Sequence, residues 1–251
     1  MTALARALPA IALAAALGSV AAPSGGSAPA FSAGQVLTVA IRTEDGVPLV
    51  GTLYLASKLP APAVLLVHMQ TRSRVDWRDL AERLAEGGIS ALAFDLRGHG
   101  ASAPGPDGPG AAANMSPSVR DVKAAHAVLA SRADVAAGRI GMCGASVGAN
   151  LALAAAAADP TIRSLVLLSA GIDYRGIRGD TAMRRFGRRP ALIVASLEDP
   201  YATRSARELA AIGEGAYELR LLSGAGHGTT MLAREDGLSS AIVDWFLRTL
   251  L

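Results

Sequence analysis

A serine, an acid and a histidine follow one another along this chain in an order that suits nucleophilic chemistry. Ser146 stands between Gly144 and Gly148 in the segment GASVG, after an apolar stretch and before an alanine-rich one. The pattern G-x-S-x-G is typical of a sharp turn from a strand into a helix, which lifts the serine hydroxyl above the sheet. The helix N-terminus that follows would offer backbone N–H groups to a developing negative charge, so Ser146 is a candidate nucleophile.

A nucleophilic serine needs a base, and the glycine-rich segment GAGHG offers one. His227 lies between two glycines of that segment, which would let its ring reach inward. There it could take the serine proton and pass it to a leaving group. Asp199 follows an apolar segment, and we expect it to fix the histidine tautomer, with Glu198 and Asp173 as alternatives.

The elements that must carry these residues alternate along the chain. From residue 35 onward the hydropathy pattern predicts eight strands, of which the first two form an antiparallel hairpin around Glu44-Asp45-Gly46. The last six are expected to be parallel, with helices between them, so the chain has an α/β fold and 35–251 forms one domain. Chemistry in such a sheet gathers beyond the carboxyl ends of the strands, where all three candidate residues fall.

The N-terminal residues differ in composition from the rest. Residues 1–22 contain one charge, Arg6, then an apolar run and several small residues, which is the pattern of a secretory signal peptide. A retained membrane anchor is the alternative, although the run is short for a membrane span. Residues 23–34 are rich in Ser, Gly, Ala and Pro and predict a flexible linker. We therefore expect an exported protein, periplasmic or extracellular, without stable membrane insertion after signal removal.

Composition and spacing argue against several other classes of function. The net charge of +3 is too small to indicate a nucleic acid or another polyanion as partner. The glycines at 138, 141 and 144 do not have the G-x-G-x-x-G spacing of a dinucleotide site, and no metal-binding pattern of histidines or cysteines occurs. We expect no cofactor. The single cysteine, Cys143, cannot form an internal disulfide.

Four motifs together resemble the α/β-hydrolase family, and among its branches the small dienelactone-hydrolase-like esterases. In chain order they are FDLRGHG at 94–100, GASVG at 144–148, LEDP at 197–200 and GAGHG at 224–228. The resemblance implies an α/β-hydrolase fold with an eight-stranded, mostly parallel sheet flanked by helices. It also implies a serine esterase that acts on a small-molecule ester through an acyl-serine, with Ser146, Asp199 and His227 as its triad.

The resemblance further implies an oxyanion hole made of two backbone N–H groups. One belongs to Val147, and the other to the residue after the third strand, Met69. Relatives often have His-Gly at that place, whereas this chain has His68-Met69-Gln70, so Gln70 could replace or assist Met69. Only residues 170–189 separate two strands where larger relatives carry a cap domain, so we expect an open site without a large cap.

Two other functions remain compatible with the sequence. An amide or peptide hydrolase would use the same triad and differ in pocket shape and in protonation of the leaving group. A non-catalytic binding protein would keep the sheet and lose the geometry of the triad.

Two further groups of polar residues have less specific patterns. The family places Asp95, Arg97 and His99 in a structural turn, and we interpret them so. An arginine-rich segment borders the predicted site and could attract an anionic substrate or lipid surface, or form a solvated face. Its arginines are Arg175, Arg178, Arg184, Arg185, Arg188 and Arg189.

Overall fold

The computed structural model of the protein describes residues 34–105 and 115–251, in which strands and helices alternate. The strands are β1 (Val36–Arg42), β2 (Pro48–Tyr54), β3 (Ala61–Val67), β4 (Ser90–Phe94), β5 (Val135–Ala145), β6 (Ile162–Leu168), β7 (Asp173–Tyr174), β8 (Ile177–Arg178), β9 (Ala191–Ser196) and β10 (Tyr217–Leu222). The α-helices are α1 (Arg78–Glu86), α2 (Val119–Ala130), α3 (Val147–Ala158), α4 (Gly179–Phe186), α5 (Pro200–Ile212), α6 (Thr230–Arg234) and α7 (Leu238–Leu250). Single 3-10 turns, Arg74–Trp77 and Ser116–Ser118, precede α1 and α2.

Eight of these strands form one sheet in the order β1-β2-β4-β3-β5-β6-β9-β10. Strands β1 and β2 pair antiparallel around the predicted turn, and β2 pairs antiparallel with β4. The remaining pairs, from β4 to β10, are all parallel. The predicted fold class, with eight strands of which the last six are parallel, is confirmed.

Helices cover both faces of the sheet, because the central strands are apolar on both sides. Every residue of β3 is buried, and Leu65 and Leu66 point into opposite hydrophobic clusters. Side chains of α2, α3, α4 and α5 pack on the face of Leu65, and those of α1, α6 and α7 pack on the face of Leu66. Buried area of this kind is the main stabilising term of the fold, and it leaves the strand ends as the place where polar residues gather.

The turn between β5 and α3 is built by backbone contacts that leave no room for side chains. A Cβ atom added to Gly148 would lie 2.2 Å from the carbonyl oxygen of Val67, and one added to Gly144 would lie 2.3 Å from that of Gly148. Helix α3 therefore begins directly against the end of β3. Ser146, between the two glycines, has φ 52 and ψ −121, a backbone conformation that L-residues rarely adopt.

The segment between β6 and β9 is short, as expected from its length in the sequence. It contains the two-stranded antiparallel hairpin of β7 and β8 and the eight-residue helix α4. Helix α4 packs against α3 through Ala182, Met183 and Phe186, which are buried. No large cap domain is present in the described residues between these strands.

Three sequence predictions fall partly or wholly outside the described residues. These are the signal peptide at 1–22, the linker at 23–34 except for Gly34, and most of the glycine-rich loop after Ser102. Among the helices of residues 34–105 and 115–251, none combines the length and apolar character that crossing a membrane requires.

The contact between Gly148 and Val67 predicts a large effect of one methyl group. We expect Gly148→Ala to lower the free energy of unfolding by about 3 kcal/mol, because the new Cβ must displace backbone rather than a flexible side chain. Gly138→Ala is the matched control, since an added Cβ there meets no atom within 4 Å and only its positive φ of 70 opposes the change. We expect it to cost about 1 kcal/mol. Urea unfolding measures both, and equal losses would contradict the packing argument.

Candidate active site

The loop after β9 and the loop after β10 meet in a hydrogen bond between an acid and a histidine. His227 Nδ1 lies 2.5 Å from Asp199 Oδ2. The other carboxylate oxygen of Asp199 accepts the N–H of Ala202 at 3.0 Å and so caps α5. Because the carboxylate is fixed at the helix start, it can hold the imidazole in one orientation.

The two alternative acids have other partners. Glu198 is exposed, and its Oε2 accepts the hydroxyl proton of Ser196 at 2.5 Å. That hydrogen bond is the main reason why the pKa of Glu198 is lowered. Asp173 lies in the β7–β8 hairpin with its carboxylate 3.7 Å from Arg178 Nε. Of the three acids that the sequence offered, the structure brings Asp199 to the histidine.

Ser146 lies at the carboxyl end of β5, beside the histidine loop. Its N–H donates to the carbonyl of Leu168 at 2.8 Å, which ties the turn to the neighbouring strand β6. A Cβ atom added to Gly228 would lie 3.5 Å from that of Ala145, so the residues next to the histidine and the serine nearly touch. No hydrogen bond joins Ser146 Oγ to His227 in the described part of the chain. Catalytic hydrogen bonds are often long without substrate.

The two expected oxyanion donors lie on either side of this turn. Val147 is the first residue of α3, so its N–H has no carbonyl partner within the helix and stands at the positive end of the helix dipole. Met69 follows β3, and its sulfur lies against Gly228, since a Cβ added there would be 2.5 Å from Sδ. The side chain of Gln70 accepts the Tyr174 hydroxyl at 3.2 Å. Gln70 is therefore engaged with the β7–β8 hairpin.

His68 fixes the loop that carries Met69 and is not placed as a base. Its Nε2 accepts the N–H of Leu96 at 2.9 Å, so the proton is on Nδ1, which donates to the carbonyl of Met69 at 2.7 Å. The ring is fully buried, and burial is the main cause that lowers its pKa to about 4. A neutral imidazole with both nitrogens used holds the backbone after β3 in place.

The turn after β4 is held by a buried carboxylate, in agreement with its interpretation as structural. Asp95 accepts the N–H groups of Arg74 at 2.7 Å and Ala101 at 2.8 Å, and it forms an ion pair with the Arg74 guanidinium. Arg97 pairs with Asp121 and Asp45. These ion pairs tie the turn to the β1–β2 hairpin and to α2, away from His227.

The arginine-rich segment is in part structural. The guanidinium of Arg189 donates to the carbonyls of Ala156, Asp159 and Ile162 at 2.7–2.9 Å and so caps the C-terminus of α3. Burial lowers its pKa. Arg178 pairs with Asp180 at 2.7 Å.

Three polar residues that the sequence analysis did not single out surround the site. Asn150 binds the N–H and the carbonyl of Gly171 at 2.9 and 2.7 Å and so fixes the loop after β6. Ser169 directly follows β6, and Ser196 is the last residue of β9. The hydroxyl oxygens of both serines accept hydrogen bonds from backbone N–H groups of the loop that carries His227. A small polar residue at the end of an apolar strand is the signal that could have indicated the two serines.

Comparisons with known proteins indicate the family to which the chain belongs. Residues 59–214 match the model of the family described as serine aminopeptidase, S33, a range that includes Ser146 and Asp199. The uncharacterized protein Rv2307c of Mycobacterium tuberculosis strain H37Rv is 36% identical over 152 residues, or 59% of this chain and 50% of that protein. A second uncharacterized protein, from strain CDC 1551, matches to the same extent. The chain thus spans about half the length of the curated relatives it matches.

Solved structures share the fold. The dienelactone hydrolase from Anabaena variabilis is 22% identical with a TM-score of 0.68, covering 86% of this chain and 99% of that one. The esterase Pf2001 from Pyrococcus furiosus is 21% identical with a TM-score of 0.74, covering 86% and 93%. At these identities the likeness concerns the fold. It confirms the α/β-hydrolase fold that the sequence motifs predict.

The buried neutral His68 predicts a loss of stability in mild acid. Its pKa is about 4 in the folded chain against an ordinary value of 6.5, so between these pH values the unfolded state binds a proton that the folded state does not. The free energy of unfolding is therefore unaffected by this titration above pH 6.5. It falls by about 3 kcal/mol in all as the pH is lowered from 6.5 toward 4. Urea unfolding of the protein and of His68→Gln from pH 7.5 to pH 4 measures it.

The variant is the control, because glutamine does not titrate. We expect His68→Gln to be less stable than the unchanged protein at pH 7.5, and the difference to shrink as the pH falls. A difference that stays constant over this range would contradict the assignment of a neutral buried ring.

Proposed function

Because the chain belongs to the serine aminopeptidase S33 family of α/β-hydrolases, we propose that it is a serine hydrolase that cleaves carboxylic esters. The observation that carries the proposal is the hydrogen bond between His227 and Asp199, beside a strained turn that holds Ser146 at a helix N-terminus. A base with a fixed tautomer next to a serine at such a turn is the arrangement that acyl transfer needs.

In the first half of the proposed reaction, Ser146 Oγ attacks the ester carbonyl carbon and its proton passes to His227 Nε2. Asp199, bonded to Nδ1, stabilises the imidazolium that forms. The N–H groups of Val147 and Met69 bind the oxyanion of the tetrahedral intermediate. The intermediate collapses as the bond to the alcohol oxygen breaks, and His227 returns the proton to the departing alcohol.

The second half repeats these steps with water. His227 takes a proton from a water molecule, whose oxygen attacks the acyl carbon bound to Ser146. Collapse of the second tetrahedral intermediate breaks the bond to Oγ, which regains its proton from the imidazolium. The carboxylic acid leaves and the serine is restored, so one water is consumed for each ester and no cofactor takes part.

The surroundings of His227 favour small or flexible ester substrates. Its side chain is 49% exposed, and the described chain between β6 and β9 contains only the β7–β8 hairpin and α4. Tyr174 of that hairpin reaches the loop after β3 through Gln70. A site with this little cover buries only a small acyl group.

An aminopeptidase is the second candidate, because the description of the matching family names that activity. It would use the same serine chemistry, and it would also have to bind the α-ammonium group of a peptide, which requires a carboxylate near the site. The two alternative acids, Glu198 and Asp173, have other partners, since Glu198 binds the Ser196 hydroxyl and the Asp173 carboxylate lies 3.7 Å from Arg178 Nε. This favours the ester over the peptide.

We also propose that the protein is exported and that residues 1–22 act as its signal peptide, as the sequence pattern indicates. Cell fractionation with an antibody, together with the N-terminal residue of the mature chain, tests this part. A mature N-terminus after one of the small residues at 19–22 is expected. Uncleaved protein confined to the cytoplasm would contradict it.

Substitutions of the triad predict graded losses of ester turnover. With p-nitrophenyl acetate we expect Ser146→Ala to lower kcat by about 10⁴-fold or more, since the nucleophile is removed. Asp199→Asn should lower it by about 10³–10⁴-fold, because the amide cannot stabilise the imidazolium. Asp173→Asn is the matched control at one of the two alternative acids, and its kcat should stay within about twofold of the unchanged protein. Loss in Asp173→Asn with retention in Asp199→Asn would contradict the assignment of the acid.

A pair of chromogenic substrates separates the candidate functions. The same purified protein is assayed with p-nitrophenyl acetate and with alanine p-nitroanilide, which release the leaving group from an ester and an amide. We expect the larger kcat/KM for the ester. The reverse order would identify an aminopeptidase, and no turnover of either substrate, under conditions where the protein is folded, would favour a binding protein.

A further inference from the structure

The loop that carries His227 is held by side-chain hydroxyl groups. Its four consecutive N–H groups, from residue 225 to residue 228, all donate to serine or threonine oxygens. Ser196 Oγ accepts those of Ala225 and Gly226 at 3.1 and 3.2 Å. Thr230 accepts that of His227 at 2.9 Å, and Ser169 accepts that of Gly228 at 3.0 Å. The loop thus has the fixed backbone that a helix or strand would otherwise provide.

Ser169, which accepts the N–H of Gly228, has a strained backbone conformation. It follows β6, is 3% exposed and has φ 53, a left-handed conformation for which glycine is the favoured residue. Its own N–H donates to the carbonyl of Val194 at 2.8 Å, which ties the residue to β9. A serine at a position that favours glycine indicates that the hydroxyl contributes something glycine lacks, and its bond to Gly228 is that contribution.

Ser196 is oriented by the acid next to the one that binds the histidine. Its hydroxyl donates to Glu198 Oε2 at 2.5 Å, so the oxygen lone pairs are left to accept the N–H groups of Ala225 and Gly226. The residue is fully buried at the end of β9. Glu198, which the sequence offered as an alternative triad acid, therefore acts on the histidine loop through Ser196.

We propose that Ser169 and Ser196 are positioning residues, whose hydroxyls hold the backbone of the histidine loop so that the His227 ring keeps its alignment between Asp199 and Ser146. The ring needs such support because its side chain is half exposed and little packing orients it. The role in turnover rests on the proposed function, whereas the role in holding the ring does not. A ring displaced by about 1 Å can lower the rate about 100-fold.

Two substitutions of Ser169 separate positioning from stability. Ser169→Ala removes the hydroxyl and keeps the strain of the positive φ, whereas Ser169→Gly removes the same hydroxyl and relieves the strain. The melting temperature of Ser169→Gly should lie within about 3 °C of the unchanged protein, and that of Ser169→Ala lower. Ser196→Ala and the double variant with Ser169→Gly complete the set. Ser205→Ala is the matched control, since this buried hydroxyl has no partner in the described residues.

The first measurement is the kinetics of p-nitrophenyl acetate hydrolysis by these variants. We expect kcat to fall about tenfold in each single variant and about 100-fold in the double variant, with KM within about twofold. Ser169→Ala and Ser169→Gly should show the same kcat despite different melting temperatures, and Ser205→Ala should not differ from the unchanged protein. A kcat that follows the melting temperature, or stays unchanged in every variant, would overturn the proposal.

The second measurement reports on the ring without any turnover. The proton between His227 Nδ1 and Asp199 is observed by nuclear magnetic resonance and assigned by its loss in His227→Gln. We expect its exchange with water to be at least about tenfold faster in Ser196→Ala and in both Ser169 variants, because the loop opens more often. Equal exchange in all proteins would overturn the proposal. A protein without ester turnover that still shows this acceleration would contradict the proposed function alone.

Discussion

The start of helix α3 against the end of strand β3 is the contact on which the arrangement of the site depends. Only hydrogen atoms of Gly148 separate its Cα from the carbonyl oxygens of Val67 and His68, which an added Cβ would approach to 2.2 and 2.5 Å. This close approach brings the helix N-terminus beside the loop that follows β3. The packing of α3 against β3 therefore places the strained turn of Ser146 beside the loop of Met69, and no movement of the helix is needed to bring them together.

The loops around the site are fixed by buried polar groups rather than by regular secondary structure. His68 holds the loop after β3 with a neutral ring, and Asp95 holds the turn after β4 with a buried carboxylate. Thr229, which follows the histidine loop, donates to Asp76 at 2.9 Å and so bonds that loop to the 3-10 turn before α1. Groups of this kind are costly to bury unless they are satisfied, and their satisfaction gives each loop one conformation.

Much of the fold could be predicted because parallel strands buried on both faces are apolar runs, and those runs alternate with amphipathic helices. The turn of Ser146 could be predicted because its close backbone packing requires glycine at two positions, and these glycines are visible in the sequence. The sequence left Glu198 open as an alternative to Asp199, because the directions of two adjacent side chains depend on the conformation of the folded loop. The role of the serines that hold the histidine loop could not be predicted, because their partners are distant in the sequence: Ser169 and Gly228 lie 59 positions apart. Helix α6, with five residues, is too short for its periodicity to stand out.

In the proposed site, Ser146 is a nucleophile that His227 and Asp199 activate. The most direct test of this activation is reaction of the purified protein with a fluorophosphonate, followed by the mass of the intact chain and sequencing of the modified peptide. We expect one adduct per chain, located on Ser146, and none in His227→Ala under the same conditions. An unmodified protein, or an adduct on another residue, would contradict it.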